Sequence, residues 1–488
     1  MQTITLAMSV DDIIGKVQNA VWGWPLIILI LAAGVWLTVR TGFVQVLHLG
    51  KALKFMVKNE DNGEGEVTSF GALCTALSAT IGTGNIVGVA TAICLGGPGA
   101  LLWMLLAAFF GMATIYAEAT LAQETRIVEK DGNIKGGPVY YITTAFKGGN
   151  SGGPLINSCG QVIGINTTKI GTFTQINGIA TAVQDFFDPE SAHVAFTLFG
   201  NDYTWATVIG GLVVTLCVAL VVLGGIQRIA KVSQVIVPFM AITYVVFALV
   251  IVLGHITAIP AAVKLICQSA FDPQAALGAA TGVTIKLAMQ KGIGRGIFSN
   301  EAGLGSAPIA AAAAKTKDTV RQGLVTMTGT FIDTIVICTL TGLSIVVTGA
   351  QNAFVAGSVE GVKITSRAWQ TGLPWNGRFS AFVLMVCLAF FAFTTILGWN
   401  YYSERCLEYL VGSQKFTKVY RYLYILAVFI GPYLTVAAVW NIADICNGLM
   451  AFPNLIALFA LSGVVGKETR AYFAEKRHDL KAMAQDKK

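Results

Sequence analysis

Ser69-Phe-Gly-Ala-Leu-Cys-Thr-Ala-Leu-Ser-Ala-Thr-Ile-Gly-Thr-Gly-Asn-Ile-Val-Gly-Val-Ala-Thr-Ala-Ile-Cys-Leu95 is an uncharged run long enough to cross a bilayer. Its middle is Ile81-Gly82-Thr83-Gly84-Asn85, where two glycines and two hydrogen-bonding side chains weaken the helix. A helix broken at mid-membrane bares backbone N–H and C=O groups that lipid cannot satisfy. Such a break persists only where it lines a cavity, so it points to a ligand or ion site. The competing explanation is that small residues let two helices approach closely.

A second stretch decides between them. Gly296-Ile-Phe-Ser-Asn-Glu-Ala-Gly-Leu-Gly-Ser-Ala-Pro-Ile-Ala310 runs on into alanines ending at Lys315, so each half of the chain opens with an interrupted hydrophobic segment. Paired interruptions in corresponding places predict an inverted-repeat secondary transporter with its site near the bilayer midplane.

Composition makes lipid the solvent. Of 488 residues, 55% are hydrophobic and 12% charged, against about 25% charged in ordinary globular proteins. Mean hydropathy is +0.67. The formal charge of +7 sits in short loops beside apolar spans, which is the orientation signal of membrane insertion, and no nucleic-acid partner follows from it. The nine cysteines, among them Cys74, Cys217, Cys338 and Cys387, fall mostly inside apolar spans and read as small hydrophobes. The amino end lacks the pattern of a cleaved signal peptide, so the first apolar segment is expected to stay as a span.

Apolar runs of about 20 residues place spans near 20–39, 69–95, 98–123, 204–225, 233–254, 279–314 (broken), 323–348, 379–402, 422–440 and 443–465, with a doubtful one at 155–183. That is about eleven transmembrane helices in an all-α membrane protein. Lys and Arg follow spans one, three, five, seven and nine, as with Arg40, Arg126, Arg228, Lys315 and Arg405, and the tail from Lys467 is basic. The alternation predicts an amino terminus outside and a carboxy terminus in the cytoplasm of a plasma-membrane protein. Lys363, Arg367 and Arg378, on the predicted outer side, are the exception. The whole chain, 1–488, then forms one transporter domain. A peripheral first helix at 20–39 precedes five-helix repeats of opposite orientation at 69–254 and 279–465, and the cytoplasmic tail is 466–488.

The two interrupted stretches, with Gly136-Gly-Pro-Val-Tyr-Tyr-Ile142, Phe331-Ile-Asp-Thr-Ile-Val-Ile-Cys338 and Thr394-Thr-Ile-Leu-Gly-Trp399, resemble the alanine or glycine:cation symporter family over nearly the whole chain. The resemblance implies a leucine-transporter-type fold of two inverted five-helix repeats, and sodium-coupled uptake of alanine or glycine by alternating access, without covalent chemistry. A small zwitterion needs partners for both charges away from water, and half-helix N–H groups and unwound carbonyls supply them. Expected substrate contacts are Ile81, Thr83, Gly84, Asn85, Gln175, Asn177, Phe298, Gly303 and Trp399. Phe298 and Trp399 would cap the side-chain end and limit substrate size. Sodium as coupling ion takes hard oxygens, expected from Ile81, Asn85, Thr394 and Thr395. The structural alternatives are that the two threonines bond only to their own helix and that Trp399 is an interfacial anchor. Glu118 and Asp333, which adjoin no break in the sequence, are expected to serve structural pairing or helix-end roles, and Glu301 to shape the unwound backbone of the second break or the gate.

One stretch is discordant. Gly148-Gly-Asn-Ser-Gly-Gly-Pro-Leu-Ile-Asn-Ser-Cys-Gly-Gln-Val-Ile-Gly-Ile-Asn-Thr-Thr-Lys169 resembles the nucleophile loop of trypsin-like serine proteases, with Ser151 in the nucleophile's place. A nucleophilic serine needs a base and an orienting acid on a rigid scaffold. His48 alone precedes it, with membrane helices between, so a membrane-bound serine hydrolase is the weaker alternative. The stretch also makes a poor membrane helix, since Lys169 near a span's centre costs about 2.5–3.5 kcal/mol. A transport-impaired relative that only binds its amino acid is therefore the other alternative. The sequence carries no signal for oligomeric state.

Overall fold

The computed structural model describes residues 10–58, 63–130, 132–145, 171–198, 201–272, 284–353, 361–411, 416–433 and 436–485. The protease-like stretch 148–169 lies outside them, as does Ser151, and so does the first part of the doubtful fourth span.

The described chain is almost entirely helical. The helices used below are α1 (Trp24–Arg40), α2 (Ser69–Thr80), α3 (Val89–Gly96), α4 (Ala100–Glu124), α5 (Gly171–Phe187), α6 (Trp205–Val222), α7 (Gly225–Gly254) and α8 (Ile259–Phe271), beside shorter ones such as Val10–Val21, Leu49–Val57 and Pro138–Ala145. They continue with α9 (Ile285–Asn300), α10 (Ala307–Ala312), α11 (Thr319–Val347), α12 (Gly361–Gly372), α13 (Gly377–Val411), α14 (Thr417–Ile430) and α15 (Val436–Gln485). Among the described residues seven helices are long and apolar enough to cross a membrane, and α2 with α3 makes an eighth, bent by 51° at its break. Outward-facing apolar side chains on α6 and α7, such as Leu216, Leu220, Val235 and Ile242, are more than half exposed, as lipid contact requires.

Several boundaries differ from the sequence expectation. The run at 422–440 is divided: α14 stops at Ile430, a 3₁₀ turn holds Gly431–Tyr433 with Pro432 in it, and α15 starts at Val436 and passes through Pro453. Proline at 432 removes a helical donor and closes the first helix. Helices α8 and α12 were not expected, being 13 and 12 residues long and below the length of a span. Two short hairpins, Ile127–Val128 with Ile134–Lys135 and Val194–Leu198 with Asn201–Thr204, cap loops.

Both expected helix breaks are present. Helix α2 ends at Thr80, Ile81 is extended (φ −75°, ψ 93°), and the chain rewinds as a π-helical turn over Gly84–Gly88. Helix α9 ends on Glu301 in the left-handed region (φ 59°), with Gly303 and Gly305 also at positive φ before α10. Residues there must be glycine or bear strain of roughly 1–2 kcal/mol, which Glu301 accepts. The outer ends of the two broken segments are joined: Val67 bridges Ala314, and Lys315 N–H donates to the Val67 carbonyl at 2.7 Å. Arg126 donates to the carbonyls of Ala312, Ala314, Glu64 and Thr316 across the same junction. One broken segment therefore begins where the other finishes.

Candidate functional site

At the first break the freed backbone groups are taken up by side chains of the break itself, of α5 and of α13, and by one backbone bond from Asn85 N–H to the Gly82 carbonyl (3.3 Å). Gly82 N–H donates to Asn85 Oδ1 (2.8 Å), and Thr83 N–H to Gln175 Oε1 (3.0 Å) on α5. The Thr395 hydroxyl on α13 donates to the Ile81 carbonyl (3.2 Å) and to Phe391 of its own helix (2.9 Å). Gly82 has no room for more: a Cβ there would lie 2.4 Å from Thr395 Oγ1 and 3.0 Å from Gln175 Oε1.

The two breaks meet at Gly84, whose missing Cβ would sit 3.2 Å from Ser299 Cα and 3.3 Å from the Phe298 ring. Asp333, on a π-helical stretch of α11 (Phe331–Cys338), ties them together. Its Oδ1 accepts from Asn85 Nδ2 (2.7 Å), and its Oδ2 from the Ser299 (2.8 Å) and Thr334 (2.7 Å) hydroxyls. Asn300, beside Ser299, also bonds Thr334 (3.0 Å). Asp333 is wholly buried. An acid that adjoins no break in the sequence thus pairs with residues of both breaks and stands between them. The available signal was the charge itself, since a carboxylate inside a span is a functional hypothesis by default.

Glu118 pairs structurally too, at the second break. Its Oε1 accepts from Gly305 N–H (3.1 Å) and from Asn454 Nδ2 (2.5 Å), while Asn454 also donates to the Gly303 carbonyl (2.9 Å). Glu118 and Asn454 hold the second break; Asn454, on α15, had no signal in the sequence.

The remaining expected residues distribute as follows. Ile81, Thr83, Gly84, Asn85, Gln175 and Thr395 gather at the first break. Phe298 lies against Gly84, with the Arg295 guanidinium 5.6 Å from its ring centre. Trp399 is buried and meets Tyr402 edge to face at 5.9 Å, so it is no interfacial anchor. Asn177 is buried on α5, and Gly303 sits in the second break beside Leu455 and Thr114. Thr394 turns the other way: its hydroxyl bonds back to Phe390 and Phe391 and touches Met240 Sδ at 3.4 Å on α7.

Carbonyl and hydroxyl oxygens are what a sodium ion takes. The Ile81 carbonyl and the Thr395 hydroxyl supply such a set, and the buried Thr83 hydroxyl has no hydrogen-bond partner of its own. The donor chemistry of the first break fits the ion.

A helical membrane bundle whose two broken helices face each other around buried polar groups is a secondary transporter of the leucine-transporter type. The fold is shared with the crystal structure of MhsT in complex with L-phenylalanine, at a TM-score of 0.57 and 11% identity, over 84% of this chain and 99% of that one. The chain belongs to the sodium:alanine symporter family, whose profile matches residues 7–487. It is 50% identical over 468 residues to a transporter of Haemophilus influenzae (96% of this chain, 97% of the relative). It is 44% identical over 476 residues to the sodium/alanine symporter AgcS of Methanococcus maripaludis (97% and 100%). The chain is therefore a multi-pass membrane protein and a sodium-coupled amino-acid symporter, not an enzyme.

Proposed function

We propose that the chain imports alanine or glycine together with sodium by alternating access, with its amino terminus outside and its carboxy terminus in the cytoplasm. The observation that carries this is the joining of both helix breaks through Asn85, Asp333 and Ser299. Opposed breaks present oriented N–H and C=O dipoles to a zwitterion, and one buried carboxylate between them favours a positive charge.

In this reading Ile81, Thr83, Gly84, Asn85, Gln175, Asn177 and Gly303 surround the backbone of the amino acid. Phe298 and Trp399 close its side-chain end, and two bulky rings leave space for little beyond a methyl group. Sodium lies beside Ile81, Asn85, Thr394 and Thr395, and this arrangement needs Thr394 to turn from its bond to Phe391. The segments 69–254 and 279–465 act as inverted repeats that rock about the site.

Alanine uptake by proteoliposomes tests the proposal. Saturable uptake driven by an inward sodium gradient is expected, falling about tenfold or more in Asn85→Ala and Thr395→Ala, each of which removes a bond worth about 1.4 kcal/mol. Uptake indifferent to sodium overturns the coupling, and preference for a bulky amino acid overturns the substrate.

A further inference from the structure

Three buried oxygen atoms around the second break have no hydrogen-bond partner: Glu118 Oε2, Glu301 Oε1 and the Tyr402 hydroxyl. They come from three separate elements, α4, the break itself and α13, and the three residues are 0%, 1% and 0% exposed. Each carboxylate is held by its other oxygen only. Glu118 Oε1 takes the Gly305 and Asn454 donors, and Glu301 Oε2 takes the Ser306 hydroxyl at 2.6 Å.

The two carboxylates sit at the same turn: Glu118 accepts from Gly305 N–H, and Glu301 from the hydroxyl of the adjacent Ser306. Glu301 is an electrostatic neighbour of Glu118, and Tyr402 of both. Yet the phenol donates to neither carboxylate, so the oxygens stand apart instead of bonding directly. Among the described residues no Lys, Arg or His pairs with either acid. Two buried carboxylates without a cationic partner are costly in a membrane interior, and a positive guest between them relieves that cost. Among the described residues no group of three or more His, Cys, Asp or Glu could hold a metal ion, which disfavours a transition metal. Two carboxylate oxygens and a phenol are hard donors of the kind an alkali ion accepts.

We propose that Glu118 Oε2, Glu301 Oε1 and the Tyr402 hydroxyl form a second sodium site, in the second helix break and separate from the one beside Ile81 and Thr395. The choice of sodium over other alkali ions rests on the coupling proposed above. Occupancy would fix the left-handed turn at Glu301 and lock α4 and α13 onto the break, so this ion would set the conformation of the second half-site.

Equilibrium binding of radiolabelled sodium to the full-length protein in lipid nanodiscs, without amino acid, tests this. Glu118→Gln and Glu301→Gln are each expected to bind one ion fewer per chain than the unmodified protein, while Thr395→Ala weakens the other site about tenfold and leaves this one unchanged. Tyr402→Phe, which removes a single oxygen, is expected to keep the count and weaken one site about tenfold. Gln variants that bind as many ions as the unmodified chain, with the same affinity, overturn the second site. If they do not fold, an unchanged affinity in Tyr402→Phe overturns it. Sodium-indifferent alanine uptake by the unmodified protein overturns the symport reading instead, whatever the Gln variants bind.

Discussion

Gly82 shows how far a single residue was readable. A glycine between Ile81 and Thr83 in an apolar run announces a break, and the structure adds why nothing larger fits, with Thr395 Oγ1 only 2.4 Å from where a Cβ would be. Gly82→Ala must displace either Thr395 or Gln175, and overpacking of this kind costs about 1–3 kcal/mol. The expected result is a stably inserted protein whose sodium-dependent uptake is largely lost, checked by transport and thermal unfolding side by side. Asp333 was readable only as a charge inside a span; its place between the breaks was not, because its partner Asn85 lies 248 positions away. Asp333→Asn keeps the shape and removes the charge, and one of its two oxygens becomes a donor facing hydroxyls. Uptake is expected to fall at least tenfold, a loss of about 1.4 kcal/mol or more, while the protein still inserts. Full uptake by this variant would show that the carboxylate only braces the breaks.

Helices whose ends coincide with a change in residue chemistry were legible as elements. Helix α4 and the interruption after Asn300 fall where the apolar runs and the Gly303 and Gly305 signals place them. The end of α14 was less so, because Ile430 is followed by further apolar residues and Pro432 alone marks the stop. What holds the second break came from elsewhere in the chain: Asn454 on α15 accepts from the Tyr141 hydroxyl (2.5 Å) and donates to Glu118 and Gly303. Removing a residue that satisfies three buried groups leaves each without a partner, at about 1–3 kcal/mol apiece. Asn454→Leu is therefore expected to lower the thermal midpoint markedly and to loosen the break, which faster hydrogen exchange at Gly303 and Gly305 would report. An unchanged midpoint would mean the break is held by α4 alone.

For the molecule as a whole, the spans and the two breaks were written in apolar length and glycine spacing, whereas the closure of one end was not. That closure uses residues scattered through the loops: Glu66 pairs with Arg405 at 2.5 Å, Arg405 also with Glu408 at 3.1 Å, and Arg421 with Glu404 at 2.8 Å. Arg405 and Glu66 are nearly buried, and a polar chamber of about 270 Å³ opens beside them, lined by Glu404, Glu408 and Lys418. With the Val67–Ala314 bridge next to it, this pair ties together the end of the bundle that lies on the cytoplasmic side in the proposed orientation. Removing one partner of a nearly buried ion pair is costly, and Arg405 is then left with Glu408 alone. Glu66→Gln therefore penalises the closed arrangement more than an open one in which Arg405 reaches water, and the population shifts toward opening at this end. Cys406, adjacent to Arg405 and buried, is a native reporter. In vesicles exposing the cytoplasmic face, its labelling by a membrane-impermeant thiol reagent is expected to accelerate about tenfold in Glu66→Gln, the equivalent of a shift of about 1.4 kcal/mol. Cys217, on the lipid-facing α6, and Cys267, on the opposite side of the membrane in the proposed orientation, are out of this reagent's reach and leave the Cys406 signal clear. Equal rates at Cys406 in the variant and the unmodified chain would assign the closure to the backbone bridge and the Arg126 clamp instead of to the ion pair.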